Sequence, residues 1–429
     1  MKLCTTIVVV TCGVGFATAA QAQPAPDLKE LLQAARQHAL PVQTQRAAIA
    51  VAEANQEVAR GALWPSISAS AGYTRNQFDV TVTIPRGTEP PIEATIQPID
   101  QFSATVQVNV PLFDLTTRRQ AHAAAQQTKA SQIALASVAR NAERETIAAY
   151  YGWLGGQALR GAAAASLQAA NETLAVAQQR AAAGLAMELD LAKARASVAR
   201  SNRALSEAAL VINNATRRLR SLTGKEIRGD APLLATATST PPPAPLETLL
   251  SQAGTVPELQ TARANSLAEA ANVAAARATY VPKVEAFARE NVTNAAGFAN
   301  AAQWAAGVTL SWRFDRTVGG RVQAAQASAS AARVREQVAL QEAQDRINDA
   351  YQQTIDNQAA VTSAQAESEA ATLTATVTQN RATQGTATLV QVLDARADEL
   401  DAQVAVIRAQ ANHAAARALL ALEAGQEIP

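Results

Sequence analysis

The chain has 429 residues, of which 48% are hydrophobic and only 4% aromatic, and its 37 Lys+Arg nearly balance 36 Asp+Glu. This balance excludes the basic surplus that sequence-independent binding of nucleic acid requires, and the apolar fraction disfavours a disordered chain. An alanine-rich, aromatic-poor composition is typical of long helices in close contact.

The first 22 residues have the pattern of a secretory signal peptide. A positively charged start precedes an uncharged run that ends in Ala-Gln-Ala, which favours cleavage after Ala22. Both cysteines, Cys4 and Cys12, lie in this segment, so the mature chain has no thiol for a disulfide or a metal. Lipidation at Cys12 is the alternative, and Thr11 disfavours it because a lipoprotein signal needs a smaller residue there.

The first repeat, residues 23–227, begins with a helical pattern that ends before Pro65. The period of the pattern then changes from 3.6 to 2, which predicts two strands. The segment from Phe78 to Asp100 lies between them and contains four prolines, which predicts an irregular loop. The predicted elements are a helix over 27–63, strands over about 65–75 and 102–112, a long helix over about 116–183, and a further helix after a glycine turn.

The chain then repeats itself at a constant offset. A Phe-Asp pair begins at Phe113 and again at Phe314, 201 positions apart, and the same offset relates many later residues. A Pro-rich linker over 228–245 separates the two repeats. The second repeat, residues 246–429, is predicted to contain strands over about 282–290 and 303–314 and a long helix over about 320–383.

The four predicted strands have the character of transmembrane β-strands. Apolar and polar residues alternate over about ten residues, the length of a tilted transmembrane strand, whereas no apolar run after residue 22 approaches the length of a spanning helix. Eleven of the 16 aromatic residues lie between residues 61 and 114 or 280 and 315, which disfavours the alternative of two hairpins on a soluble helical bundle. Four strands cannot close a barrel, so an embedded chain must oligomerise: two copies supply eight strands and three supply twelve.

The sequence offers no constellation for catalysis, a cofactor or a metal, so we expect no enzyme. The histidines are far apart, at His38, His122 and His413. Glu143 and Glu145 lie among Arg140 and Arg144 on a predicted helix, and we interpret these four as solvated helix charges.

Four segments together resemble the TolC-like outer membrane efflux protein family, also called outer membrane factors. They are Leu63-Trp64-Pro65-Ser66-Ile67-Ser68, Val110-Pro111-Leu112-Phe113-Asp114, residues 180–190 and residues 385–396. The resemblance implies a mainly α fold with a transmembrane β part, built as a duplicated helix-strand-strand-helix. Long antiparallel coiled-coil hairpins would form an α-barrel, and four strands per chain would contribute to a 12-stranded β-barrel of a homotrimer.

The resemblance also implies a function and partners. Family members are passive exit ducts in the cell outer membrane with a periplasmic helical tunnel, and they serve tripartite efflux or type I secretion. They receive substrates from an inner-membrane pump and a periplasmic adaptor, and outer-membrane lipid surrounds their barrel. The alternative is a periplasmic coiled-coil scaffold or adaptor without a barrel, which leaves the strand alternation unexplained. Neither the substrate nor the class of pump follows from the sequence.

The family's tunnel entrance suggests which residues line the periplasmic pore. Asp394 matches the second acid of the family's Asp-Val-Leu-Asp pattern, Gln391 stands in place of its first acid, and Asp190 matches the acid after the first hairpin tip. A threefold ring would thus hold three Asp394 carboxylates. Alternatively, acids near helix starts only complement the helix dipole.

Two further groups of residues follow from the resemblance. The hairpin tips expected to contact the adaptor contain Gly184, Leu185, Gly385 and Thr386. The aromatic girdle expected at the membrane surfaces consists of Trp64, Tyr73, Phe102, Phe113, Trp304, Trp312 and Phe314.

Overall fold

The computed structural model describes residues 27–183, 187–227 and 243–428. The predicted signal peptide, Cys12, the tip residues Gly184 and Leu185, and most of the predicted linker lie outside the described residues.

Long α-helices dominate the fold. Within the described residues they are α1 (Leu28–His38), α2 (Leu40–Gly61), α3 (Leu115–Ala182), α4 (Glu188–Thr223), α5 (Leu246–Leu250), α6 (Pro257–Ala278), α7 (Arg316–Thr383) and α8 (Leu389–Glu423). None of these described helices combines the length and the apolar character that crossing a membrane requires.

The two longest helices, α3 and α7, occupy equivalent positions in the two repeats. Each has 68 residues, which corresponds to about 100 Å at the standard helical rise. Both begin at an aspartate N-cap: Asp114 accepts a hydrogen bond from the backbone N–H of Thr117 at 2.9 Å, and Asp315 accepts one from Val318 at 3.0 Å. The Phe-Asp pair that marks the repeat therefore marks the point at which a strand passes into a long helix.

Four helices lie side by side at each level of the molecule. Nearer the strands the order is α2, α3, α6, α7, and nearer the hairpin tips it is α4, α3, α8, α7. Mostly small side chains lie in these contacts, where Ala208, Leu219, Ala411 and Ala418 are buried. Helix α3 of the first repeat packs on α6 and α8 of the second, which joins the two repeats into one body.

The strands form two separate sheets. They are β1 (Ser66–Arg75), β2 (Val80–Arg86), β3 (Glu89–Gln97), β4 (Asp100–Phe113), β5 (Lys283–Thr293) and β6 (Ala302–Ser311). The four-stranded sheet has the order β1-β4-β5-β6 with antiparallel neighbours, and β2 and β3 form a hairpin. The predicted helix-strand-strand-helix plan of each repeat is confirmed.

The hairpin β2–β3 lies where the sequence predicts an irregular loop. Pro85 and Pro90 lie near its tip, where the register shifts between Ile84 and Arg86, and Gly87 has a φ of 62° that suits a tight turn. The paired part of the hairpin is free of proline except at this end. The prediction of a loop over this segment was therefore wrong.

The predicted helix over 27–63 is divided into α1 and α2. Ala39 has extended backbone angles, and Pro41 follows at the start of α2. A residue close before a proline is disfavoured in a continuing helix, which accounts for the break. In the second repeat α5 and a short 3₁₀-helix precede α6, which likewise begins at a proline, Pro257.

A buried charge network near the middle of α3 links the two repeats. The guanidinium of Arg144 on α3 hydrogen bonds to both carboxylate oxygens of Glu423 on α8 and donates to Glu258 on α6 at 2.8 Å. Arg140 donates to the backbone oxygen of Leu422 at 2.5 Å. Burial alone would lower the pKa of Arg144, but the hydrogen bond and charge of Glu423, together with Glu258, raise it above its ordinary value.

The interpretation of the α3 charges as solvated was wrong for three of the four residues. Glu143 is only 3% exposed and forms an ion pair with Arg36 of α1. The side chains of Arg140 and Arg144 are mostly buried in the network. Glu145 alone lies near the surface, where it pairs with Arg218.

Two adjacent glycines allow α3 to approach its neighbours closely. A Cβ atom at Gly156 would lie 3.0 Å from Ile212 Cγ1 and 3.3 Å from the backbone nitrogen of Ile212 on α4, and one at Gly155 would lie 3.1 Å from Ala411 Cβ on α8. Side chains at these positions would push the helices apart.

We expect Gly156→Ala to destabilise the protein by about 1–3 kcal/mol, because the new methyl group overpacks the contact with α4. Gly161→Ala is the matched control, since a Cβ at Gly161 meets no atom within 4 Å. That variant should gain about 0.5–1 kcal/mol from the lower backbone entropy of alanine in a helix. Thermal unfolding followed by circular dichroism measures both, and a shift of the two variants in the same direction would contradict this packing.

Candidate functional site

The four-stranded sheet exposes its apolar face and partly covers its polar face, which is the reverse of a sheet in a water-soluble protein. On β4 the apolar residues Phe102, Ala104 and Val106 are exposed, whereas the alternating polar residues Ser103 and Thr105 are half-buried. On β6 the same alternation places Trp304, Ala306, Val308 and Leu310 on the exposed side. Such a sheet is typical of a membrane barrel, with an apolar outer face and a polar inner face.

The strand pairing shows that each face continues across the sheet. Ile67 lies opposite Val108, which lies opposite Ala288, and Ala288 lies opposite Ala306. The outermost strands, β1 and β6, each have only one partner among the described strands. A sheet with two open edges is not tolerated in lipid, because the N–H and C=O groups of its edge strands would have no hydrogen-bond partners there.

The residues predicted as an aromatic girdle are all exposed. Tyr73 and Phe102 lie opposite each other with ring centroids 5.1 Å apart, at the end of the sheet farthest from the helices. Trp312 and Phe314 lie beyond the end of β6, beside the helices, and Trp312 donates from its indole nitrogen to Tyr280 O at 3.1 Å. The exposed fractions run from 45% at Phe113 to 79% at Trp304.

The polar face of the sheet carries three charged side chains, all on β5. Lys283 and Glu285 form an ion pair at 3.2 Å. Arg289 lies farther along the strand, opposite Gln107 and Ala305. Among the described residues Arg289 forms no ion pair, which becomes visible only once the strands are paired.

The second group of candidate residues lies at the hairpin tips. Helix α8 begins with a reciprocal cap, in which Gln391 N donates to Thr388 Oγ1 at 3.3 Å and Thr388 N donates to Gln391 Oε1 at 2.9 Å. At the start of α4, Asp190 accepts a hydrogen bond from Met187 N at 3.3 Å. Asp190 and Gln391 thus cap helices at equivalent positions of the two repeats.

Asp394 has a partner that the sequence reasoning missed. Its carboxylate lies 3.4 Å from the ammonium of Lys193 on α4, and the two side chains are 66% and 37% exposed. Lys193 precedes Asp394 by the same 201 positions that relate the two repeats. That offset is the signal that could have identified the pair, since equivalent residues of a two-fold repeat meet near its axis. The partner reduces the negative field of Asp394.

The tip of the second hairpin is a tight turn after α7. Gly385 has a φ of 76°, and a Cβ there would meet no atom within 4 Å. Thr386 donates from its backbone nitrogen to Arg381 O at 2.9 Å, which closes the end of the helix. In the described part of the chain, no group of three or more His, Cys, Asp or Glu side chains is placed to hold a metal ion.

Comparison with known proteins gives one family and several similar structures. The model of the outer membrane efflux protein family matches residues 31–225 and 252–426. No match is found among curated protein sequences.

Similar solved structures include three outer-membrane proteins. The Campylobacter jejuni CmeC outer membrane channel is 16% identical with a TM-score of 0.76, and the alignment covers 98% of this chain and 94% of that one. The Vibrio cholerae outer membrane protein VceC is 20% identical with a TM-score of 0.72, covering 94% and 97%. The open state of the Neisseria gonorrhoeae MtrE outer membrane channel is 17% identical with a TM-score of 0.72, covering 98% of each. These likenesses show a common fold.

Proposed function

The chain belongs to the outer membrane efflux protein family, and we propose that three copies form a passive outer-membrane exit duct with a periplasmic helical tunnel. As a member of this family it is an efflux channel rather than an enzyme. In this proposal an inner-membrane pump hands substrates over through a periplasmic adaptor.

The observation that carries the proposal is the four-stranded sheet, with its exposed apolar face and its two unpaired outer edges. Its apolar face is exposed and its two outer strands lack a second partner among the described residues, so water-soluble monomers would be unfavourable. Three copies supply twelve strands, whereas two supply eight and leave an interior that side chains fill. The inner face of β1 consists of Ser66, Ser68, Ser70, Gly72 and Thr74, which are small and suit a wide, water-filled lumen.

The helices also present surfaces that fit further copies. Helix α7 lies at one edge of each four-helix layer, and α2 and α4 lie at the other. Both edges expose apolar side chains, at Val334, Val338, Ile355, Leu373 and Val377 on α7 and at Val51, Val58 and Leu210 on α2 and α4. When each α7 packs against the α2 and α4 of the next copy, these side chains are covered and twelve helices form a closed tunnel.

Two further surfaces of the duct are assigned to its surroundings, one to the lipid bilayer and one to the adaptor. The exposed aromatic residues at the two ends of the sheet are suited to the lipid interfaces. The hairpin tips, which include Gly385 and Thr386, lie at the opposite end of the long helices and are the surface we assign to the adaptor. The alternative of a periplasmic scaffold without a barrel does not explain the exposed apolar face of the sheet.

Replacement of Asp394 tests the entrance. The purified protein is expected to form channels in planar bilayers, and Asp394→Ala should lower the permeability ratio of K⁺ to Cl⁻. A charge about 4 Å from an ion in water contributes about 1 kcal/mol, so each of the three carboxylates contributes a factor of about five at most. Lys193→Ala is the matched control and should change the ratio in the opposite direction, since it removes the partner of Asp394. Unchanged selectivity in both variants would contradict the entrance role.

A further inference from the structure

We propose that Arg289 from the three copies forms a cationic ring in the lumen of the β-barrel and that this ring favours the passage of anionic solutes. The inference rests on the trimeric barrel proposed above. It assigns a selectivity-determining residue at the membrane end of the duct.

The strand register places Arg289 on the inner face. It lies opposite Gln107 on β4 and opposite Ala305 on β6, and Gln107 in turn lies opposite Ser68 on β1. This row belongs to the polar face of the sheet. The next residue of the chain, Glu290, lies opposite Val106 and belongs to the apolar outer face.

The charge of Arg289 has no counterpart on this face. The rows on either side contain Asn291 with Thr105 and Phe287 with Asn109, none of them acidic. Glu285 is the one carboxylate on the inner face of the four strands, and it is paired with Lys283 at 3.2 Å. Among the described residues Arg289 makes no ion pair within 4.0 Å, so each copy adds one uncompensated positive charge to the lumen.

The neighbouring polar groups are engaged with one another. Gln107 donates to the side-chain oxygen of Asn109 at 2.7 Å, and Thr105 donates to that of Asn291 at 2.9 Å. The other residues in the row, Ser68 and Ala305, are short. Arg289 is therefore exposed, and the polar side chains around it are either small or already hydrogen bonded to one another.

Threefold symmetry repeats this charge around a single pore. Rings of arginine or lysine side chains select anions in channels, because the fields of several like charges add up inside the aqueous path that they surround. At the other end of the duct the charge of Asp394 is offset by Lys193. The uncompensated charge in the barrel is thus positive, and the solutes it favours carry carboxylate, phosphate or sulfate groups, with chloride as the simplest.

Reversal potentials in a KCl gradient test the ring. The wild type and Arg289→Gln are compared in planar bilayers near 0.1 M salt, where the Debye length is about 10 Å. We expect the permeability ratio of Cl⁻ to K⁺ to fall by about two-fold or more in Arg289→Gln and to stay near the wild-type value in Arg289→Lys. Glu290→Gln is the matched control: its charge lies on the lipid side, and the ratio should not change.

The outcomes separate the inference from the proposed function. Channels of normal conductance whose ratio is unchanged in Arg289→Gln would overturn the cationic ring and leave the duct intact. An equal and opposite change in Glu290→Gln would overturn it too, because both side chains would then face the pore. Failure of the wild type to form channels would overturn the proposed function and the inference with it.

Discussion

Lysine in place of Val308 is expected to prevent assembly of the channel in the outer membrane. Val308 is 64% exposed on the apolar face of the sheet, opposite Ala286 of β5 and midway along the chain between Trp304 and Trp312. A lysine on the lipid face near the bilayer centre costs about 2–4 kcal/mol, and a trimer incurs this cost three times. The amount of protein recovered in the outer-membrane fraction, relative to wild type, measures the effect.

The control for this variant is the adjacent residue of the same strand. Thr309 lies on the polar face, opposite Glu285, so Thr309→Lys should be tolerated and should assemble at the wild-type level. Because the two variants add the same charge at neighbouring positions, they differ only in the face on which it lies. Equal loss of both proteins, or equal tolerance of both, would contradict the assignment of the two faces.

Arg144→Met is expected to destabilise the folded chain by about 3–5 kcal/mol. The variant removes the central cation of the buried network and leaves Glu423 and Glu258 without their shortest contacts. Breaking a buried ion pair at one partner costs this much because the remaining charges stay in a poorly solvated place. Because the network joins α3 to α6 and α8, the variant should lower the thermal midpoint of the detergent-solubilised protein, followed by its helical circular dichroism.

An exposed pair of the same chemistry provides the comparison. Arg218 and Glu145 also link two helices, α4 and α3, but their side chains are 55% and 46% exposed. Arg218→Met should cost less than about 1 kcal/mol, the usual range for a solvated ion pair. Similar midpoints for Arg144→Met and Arg218→Met would contradict the account of the network.

Features that repeat along the chain could be predicted from the sequence. The 201-residue offset and the change of period after Pro65 gave two copies of the same plan, with long proline-free helices and strands of alternating polarity. These patterns are strong because every residue along the helix or strand contributes to them. The predicted boundaries depend on fewer residues: β6 ends at Ser311, three residues before the predicted end at 314.

Features that depend on a few residues were harder to predict. The segment with four prolines was interpreted as a loop, although Val80, Val82 and Ile84 alternate with threonine, which is typical of a strand. A hairpin accommodates prolines at its ends, so the proline count outweighed a valid signal. The break at Ala39 was missed for the converse reason, since the helical period continues on both sides of it.

Partners of charged residues could not be obtained from the sequence. Glu143 and Arg36 are 107 residues apart, and Arg144 and Glu423 are 279 apart, so the burial of these pairs depends on how the helices pack. The capping role of Asp190 was weighed in advance because acids are common near helix starts. The pairing of Lys193 with Asp394 was not predicted, although the repeat offset relates the two residues.

The mass of the protein extracted in mild detergent from the outer-membrane fraction tests the trimeric duct most directly. Light scattering that separates protein from detergent should give three mature chains per particle, because in the proposed duct the strands of two further copies complete the open edges of β1 and β6. A single chain recovered in the soluble periplasmic fraction would contradict the duct and would leave a coiled-coil interaction protein in its place.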